Sequence, residues 1–76
     1  MAAGEQYEVL LVSRGERPLE GSFVYIGVDL PPVEAVIPVY DLNDRYSRVR
    51  ARVIRVDGNG YPPITAQELY TVRALG

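Results

Sequence analysis

The sequence contains no cysteine, no histidine and no lysine. Without cysteine the chain has no disulfide, no thiolate nucleophile and no cysteine-based zinc site. Without histidine it lacks both the commonest metal ligand and the commonest general base. The chain also shows no phosphate-binding glycine loop and no paired-carboxylate motif. We therefore expect a non-catalytic protein with no cofactor and no bound metal.

All eight basic residues are arginine, and ten acidic residues bring the net charge to −2. Arginine-only usage is typical of GC-rich genomes, and the composition is of a bacterial kind. The guanidinium fork binds carboxylates and phosphates bidentately, which an ammonium group does poorly. The acidic balance argues against a general nucleic-acid coat protein. We therefore expect a protein or another anionic ligand as the partner before nucleic acid.

The length of 76 residues, 47% of them hydrophobic, predicts one small globular domain over 1–76, with residues 1–5 as a disordered tail. Chains of this size bury only about 60% of the surface that they expose when unfolded. Oligomerisation, with a dimer favoured, would add burial. We read no signal peptide at the N-terminus, and no apolar run approaches the ~20 residues that span a bilayer. The expected location is the cytoplasm, without membrane attachment.

Two-residue periodicity, typical of a strand with one buried and one exposed face, recurs along the chain. It predicts strands over residues 6–13, 22–29, 34–41 and 47–56. In the first strand, Leu10 and Val12 add apolar groups to the second face, so this strand is expected to be buried on both sides or to sit in an interface. Gly27 inside the second strand predicts a bulge or a close backbone approach.

The C-terminal segment allows two structures. Thr65 and Glu68 fit a capping box, which predicts a short helical turn. After it, either a helix runs to about Leu75 or the chain passes into a strand over residues 70–74. Alternation and β-branched residues in the segment favour the strand.

Five short strands with one helical turn before the last resemble the SH3-like small barrels, whose final strand follows such a turn. The predicted fold is therefore an all-β, five-stranded SH3-like barrel. The alternative is an α+β fold with a C-terminal helix from about Ala66.

Five of the eight arginines fall within the eleven positions 45–55. Three of them, Arg48, Arg50 and Arg52, alternate with small apolar residues, so one face of this strand carries a row of guanidinium groups. The alternation changes phase afterwards. An extra residue, or a sharp bend, between residues 53 and 54 would bring Arg55 to the same outer side.

A hairpin between residues 34–41 and 47–56, turning near Asp44, sets a register for this row. It places Tyr40 opposite Arg48, Pro38 opposite Arg50 and Val36 opposite Arg52. Two further tyrosines, Tyr46 and Tyr61, adjoin turns and are expected at the surface. The candidate partner-binding residues are Arg48, Arg50, Arg52, Arg55, Tyr40, Tyr46 and Tyr61.

These residues predict a small interaction module that binds a protein or an anionic partner through its arginine-bearing strand. One alternative is that the row is an ordinary solvated strand face, charged so that sheets do not stick together. A second is a small-molecule-binding protein or minimal enzyme with its site between subunits. A third is a structural accessory subunit.

Oxygen-bearing side chains cluster in two turns, with Asp41, Asn43 and Asp44 in one and Asp57 and Asn59 in the other. Neither set reaches the six to eight oxygens of a calcium loop. Asx residues in turns commonly accept hydrogen bonds from their own backbone, and we expect that role here.

Overall fold

The structure, a computed structural model, describes residues 4–73, apart from the side chains of residues 45, 46, 72 and 73. The five strands are β1 (Glu5–Val12), β2 (Phe23–Gly27), β3 (Val36–Asp41), β4 (Asp44–Val56) and β5 (Ile64–Arg73). They form a closed barrel in chain order, which confirms the predicted all-β, five-stranded barrel. Of the predicted tail, residues 1–3 lie outside the described residues. No helix able to cross a membrane is present between residues 4 and 73.

The barrel closes through a parallel pair of strands. Consecutive strands run antiparallel, so the first and the fifth necessarily point the same way. Residues 9–12 of β1 pair with residues 64–67 of β5 to complete the ring. β4, the longest strand at 13 residues, pairs with β3 on one side and with β5 on the other. It is therefore the middle strand of a three-stranded face.

The interior is filled by alternate residues from all five strands. The core cluster comprises Val9, Leu11, Phe23, Ile37, Val39, Val49, Ala51, Val53, Ile64 and Ala66. The second face of β1 is mostly exposed, because Gln6, Glu8 and Leu10 are exposed there and only Val12 is buried. The expectation that β1 is buried on both sides is therefore wrong within its own chain, and the alternative, that this strand sits in an interface, stays a prediction.

Two bulges interrupt the pairing of β4 with β5. Val53 pairs with Ala66 and Arg55 with Thr65, so Ile54 is an extra residue on β4. This bulge puts Arg55 on the exposed face, as the change of phase in the sequence predicted. The second bulge lies on β5, where the shift in pairing between residues 50 and 51 of β4 leaves Leu69 as the extra residue.

The predicted helical turn before the last strand is wrong, and so is the alternative C-terminal helix. β5 begins at Ile64 and has no helix before it among the described residues. The capping box would satisfy local backbone groups only. In the barrel, Thr65 instead pairs with both β1 and β4, while its neighbours Ile64 and Ala66 are fully buried. Burial of these side chains and backbone hydrogen bonds to a strand on each side stabilise the strand more than a helix cap would stabilise a helical turn. The helical turn on which the resemblance to SH3-like barrels partly rested is therefore absent among the described residues.

Gly27 is closely approached by a side chain, whereas its position in a strand predicted a bulge or a close backbone approach. A Cβ there would lie 2.6 Å from the Tyr25 hydroxyl oxygen and 2.7 Å from two carbons of its ring. That ring is held in place by stacking on Tyr7, with the centroids 6.4 Å apart. The group that approaches the glycine backbone is therefore a side chain of its own strand.

Replacing Gly21 by alanine is expected to destabilise the barrel by about 1–3 kcal/mol. Gly21 has φ 142°, a conformation that residues with a Cβ rarely adopt, and its added Cβ would lie 2.8 Å from the buried ring of Phe23. Urea denaturation followed by circular dichroism measures the change. Gly15→Ala is the matched control, because a Cβ at Gly15 meets only the Ser13 hydroxyl at 3.8 Å. Equal stability of the two variants would contradict this account.

Candidate functional site

The arginine row lies on the outside of the β3–β4–β5 sheet. Its side chains point away from the barrel, because the residues between them on β4 are core residues. The rows across the sheet are Val36–Arg52–Gln67, Pro38–Arg50–Tyr70 and Tyr40–Arg48–Val72. The predicted register of the hairpin is thus confirmed at all three arginines. We call the outward positions of these rows the arginine face, leaving aside the side chain of residue 72.

The arginine face contains no acidic residue. All ten aspartates and glutamates of the chain lie within the described residues, and none occupies one of its positions. Glu68, the nearest acid in β5, pairs with the core residue Ala51 and lines an end of the barrel beside Leu11 and Val49. The positive charge of the face is therefore not neutralised by its lateral neighbours.

Four guanidinium groups of this strand also have no partner within the described part of the chain. Arg48, Arg50, Arg52 and Arg55 form neither a hydrogen bond nor an ion pair there. Arg14 provides a contrast, because its Nη2 donates to the carbonyl oxygen of Leu69 at 2.7 Å and so ties the loop after β1 to β5. As far as residues 4–73 with described side chains are concerned, the donors of the arginine row are available to a ligand.

Arg55 and Tyr61 meet in a pocket at one end of the arginine face. It has a volume of about 200 Å³ and is lined by Leu10, Arg55, Asp57, Tyr61, Pro62 and Thr65, among others. We call it the end pocket. Arg55 follows Arg52 on the outer side of β4, since these two pair with successive outer positions of β5. The pocket therefore continues the row.

Tyr61 forms the exposed wall of the end pocket, with 78% of its surface accessible. Interaction with the Glu8 side chain raises the pKa of Tyr61 above its ordinary value. The turn after β4 therefore brings this tyrosine close to an acid of β1.

The remaining tyrosines are distributed unevenly about the face. Tyr40 is half-buried opposite Arg48, as predicted. Tyr46 lies in β4, but its side chain is outside the described residues. Tyr70, which sequence reasoning did not select, is 57% exposed and lies opposite Arg50. Its position depends on the bulge at Leu69, which no pattern in the sequence predicts.

The two turns rich in oxygen-bearing side chains form Asx turns, as predicted. Asp41 Oδ1 accepts a hydrogen bond from the backbone N–H of Asn43 at 2.9 Å, and Asp57 Oδ1 accepts one from Asn59 at 3.0 Å. In the part of the chain that the structure describes, no three acidic side chains are grouped so that they could hold a metal ion.

Comparison with known protein families, with curated proteins and with solved structures finds no match for this chain.

Proposed function

We propose that this protein is a non-catalytic interaction module that binds an anionic partner through the arginine face. The observation that carries the proposal is a row of three arginines that have no partner among the described residues, on a sheet face that has no acid of its own. Such groups present planar donor forks at a fixed spacing, and carboxylates or phosphates fit them bidentately.

The flanking residues favour binding over simple solvation. Arg50 is only partly exposed, between Pro38 on β3 and Tyr70 on β5. Tyrosine offers both apolar area and a hydroxyl, and it is common at interfaces. A face that only repelled other sheets would need charge but no exposed tyrosine beside it.

Titration of the ¹⁵N-labelled protein with anionic probes, followed by nuclear magnetic resonance, tests the proposal. Suitable probes are poly-L-glutamate and a single-stranded oligonucleotide, each at low and at high salt. We expect the largest amide shifts at residues 36–40, 48–52 and 67–70, and we expect them to shrink as salt screens the charges. Shifts at the opposite wall of the barrel, or no shifts with any probe, would overturn the proposal.

We also propose that the chain self-associates, with a dimer favoured. The exposed apolar residues that support it lie on β2 and on the connection from β2 to β3, where Ile26, Val28 and Val33 are 49–80% exposed. β2 and β3 pair at only two positions, so this is the least closed seam of the barrel.

Sedimentation velocity at micromolar concentration is expected to show a dimer that Val28→Asp dissociates. Leu42→Asp is the matched control, because Leu42 is 52% exposed in the turn between β3 and β4. A monomer at every concentration, or dissociation by both variants alike, would contradict the assignment of this surface.

A further inference from the structure

The arginine face has the repeat of an extended peptide. Alternate side chains on one face of a strand are spaced by about 6.6–6.8 Å. Arg48, Arg50 and Arg52 share one face of β4, so their guanidinium groups start from positions with this repeat. A partner segment in the extended conformation has the same repeat, and acids at every second position would meet the three arginines one to one.

The charge of the rest of the chain favours a short acidic segment over a long polyanion. Removing the four positive charges of Arg48, Arg50, Arg52 and Arg55 from the net charge of −2 leaves −6 on the remainder. A nucleic acid continues past its footprint with one phosphate per nucleotide, and those phosphates would meet this acidic remainder. A protein segment can confine its acids to the part that contacts the arginines.

The end pocket supplies a second, different contact. Arg55 and Asp57 both line it, so their formal charges cancel, while Leu10 and Pro62 add apolar surface. The lining is more polar than apolar overall, so a neutral side chain whose apolar part contacts Leu10 and Pro62 suits it better than an anion does. In the partner, this side chain would lie just beyond the acids that face the arginines, because the end pocket follows Arg52 along β4.

We propose that the partner is an extended acidic segment of another protein, with acids at alternate positions facing Arg48, Arg50 and Arg52 and an apolar side chain in the end pocket. This inference rests on the proposed function and names the partner class for the same site. The structure accounts for its two parts separately, through the repeat of the arginines and through the neutral pocket beyond them.

The test uses synthetic peptides and isothermal titration calorimetry with the full chain. One peptide alternates glutamate with threonine and ends in leucine. A second has the same composition with the glutamates contiguous, and a third replaces the leucine by alanine. We expect the alternating peptide to bind about tenfold more tightly than the contiguous one, because only it can pair all three arginines at once.

Protein variants separate the two contacts. Arg50→Lys keeps the charge but removes the planar fork. We therefore expect a smaller difference in affinity between the alternating and the contiguous peptide. Arg17→Lys is its control, since Arg17 lies in the exposed loop after β1. Leu10→Ala is expected to weaken binding of the peptide that ends in leucine and to leave the affinity for the peptide that ends in alanine unchanged.

The possible failures are distinguishable. Equal affinity of the alternating and contiguous peptides would overturn the inference while the proposed function stands. Binding would then depend on the number of acidic charges and not on their spacing. An oligonucleotide that binds more tightly than every peptide would overturn the proposal of an acidic protein segment and would favour nucleic acid as the partner. If peptides and oligonucleotide all fail to bind, both the inference and the proposed function fail.

Discussion

Replacement of Arg48, Arg50 and Arg52 together by serine is expected to weaken binding of poly-L-glutamate by roughly 100-fold. An exposed charge pair at the favourable end of the usual range is worth about a factor of five in affinity, and three such pairs multiply to this value. Serine retains a hydroxyl but has neither the charge nor the planar donor fork. Fluorescence anisotropy with a labelled polymer measures the loss.

The same triple variant is expected to remain folded. The three arginines form no hydrogen bond or ion pair within the described residues, and their side chains lie outside the barrel. Surface substitutions of this kind usually change stability by about 0.5 kcal/mol or less each. Arg17→Ser, compared with Arg50→Ser, provides a control that removes one equal charge away from the face.

Two results would contradict this prediction in different ways. If the triple variant unfolds, the arginine stems contribute to packing and the row is structural. If it folds and binds the polymer as tightly as the natural sequence does, the row is an ordinary solvated strand face. A loss of the same size in Arg17→Ser and Arg50→Ser would show that net charge, and not the face, governs binding.

The arrangement around β4 could be predicted from the sequence because of its alternation. Alternating arginines and small apolar residues fix which side of β4 faces the core, since a slip by one residue would bury the charges. Tyr40 lies opposite Arg48 as expected, although the turn is at residues 42–43 and not centred near Asp44. A register shift between Tyr40 and Asp41, which the sequence did not indicate, separates this turn from the predicted pairing. The change of phase after Val53 likewise indicated the bulge that exposes Arg55.

The start of β5 could not be predicted in the same way. Thr65 and Glu68 have the residue types of a helix cap, and that local pattern competes with a weak strand signal. The strand is determined by tertiary partners on both sides, β1 and β4, which a short window of sequence does not contain. The place of Tyr70 in the site was missed for the same reason, because it depends on a bulge set by pairing with β4.

Ile64→Ala is expected to destabilise the protein by about 2–5 kcal/mol, the usual cost of truncating a fully buried isoleucine. Ile64 is 0% exposed, and it lies where the ring closes, between Val9 of β1 and Val56 of β4. At ~0.05–0.15 kcal/mol per residue, a domain of this length has a free energy of unfolding of roughly 4–11 kcal/mol. The substitution would therefore remove a large share of the total, and at the lower limit it would unfold the chain.

Urea denaturation followed by far-ultraviolet circular dichroism tests this expectation, with Leu42→Ala as the control. Leu42 is also a branched aliphatic residue but is 52% exposed in the turn between β3 and β4, so its truncation leaves little cavity and should cost less than about 1 kcal/mol. If the two variants lose equal stability, Ile64 is not enclosed by the parallel seam. The barrel would then have to close elsewhere, and the pairing that carries Arg55 to the end of the arginine face would lose its basis, because Val56–Ile64 and Arg55–Thr65 are successive pairs of one ladder.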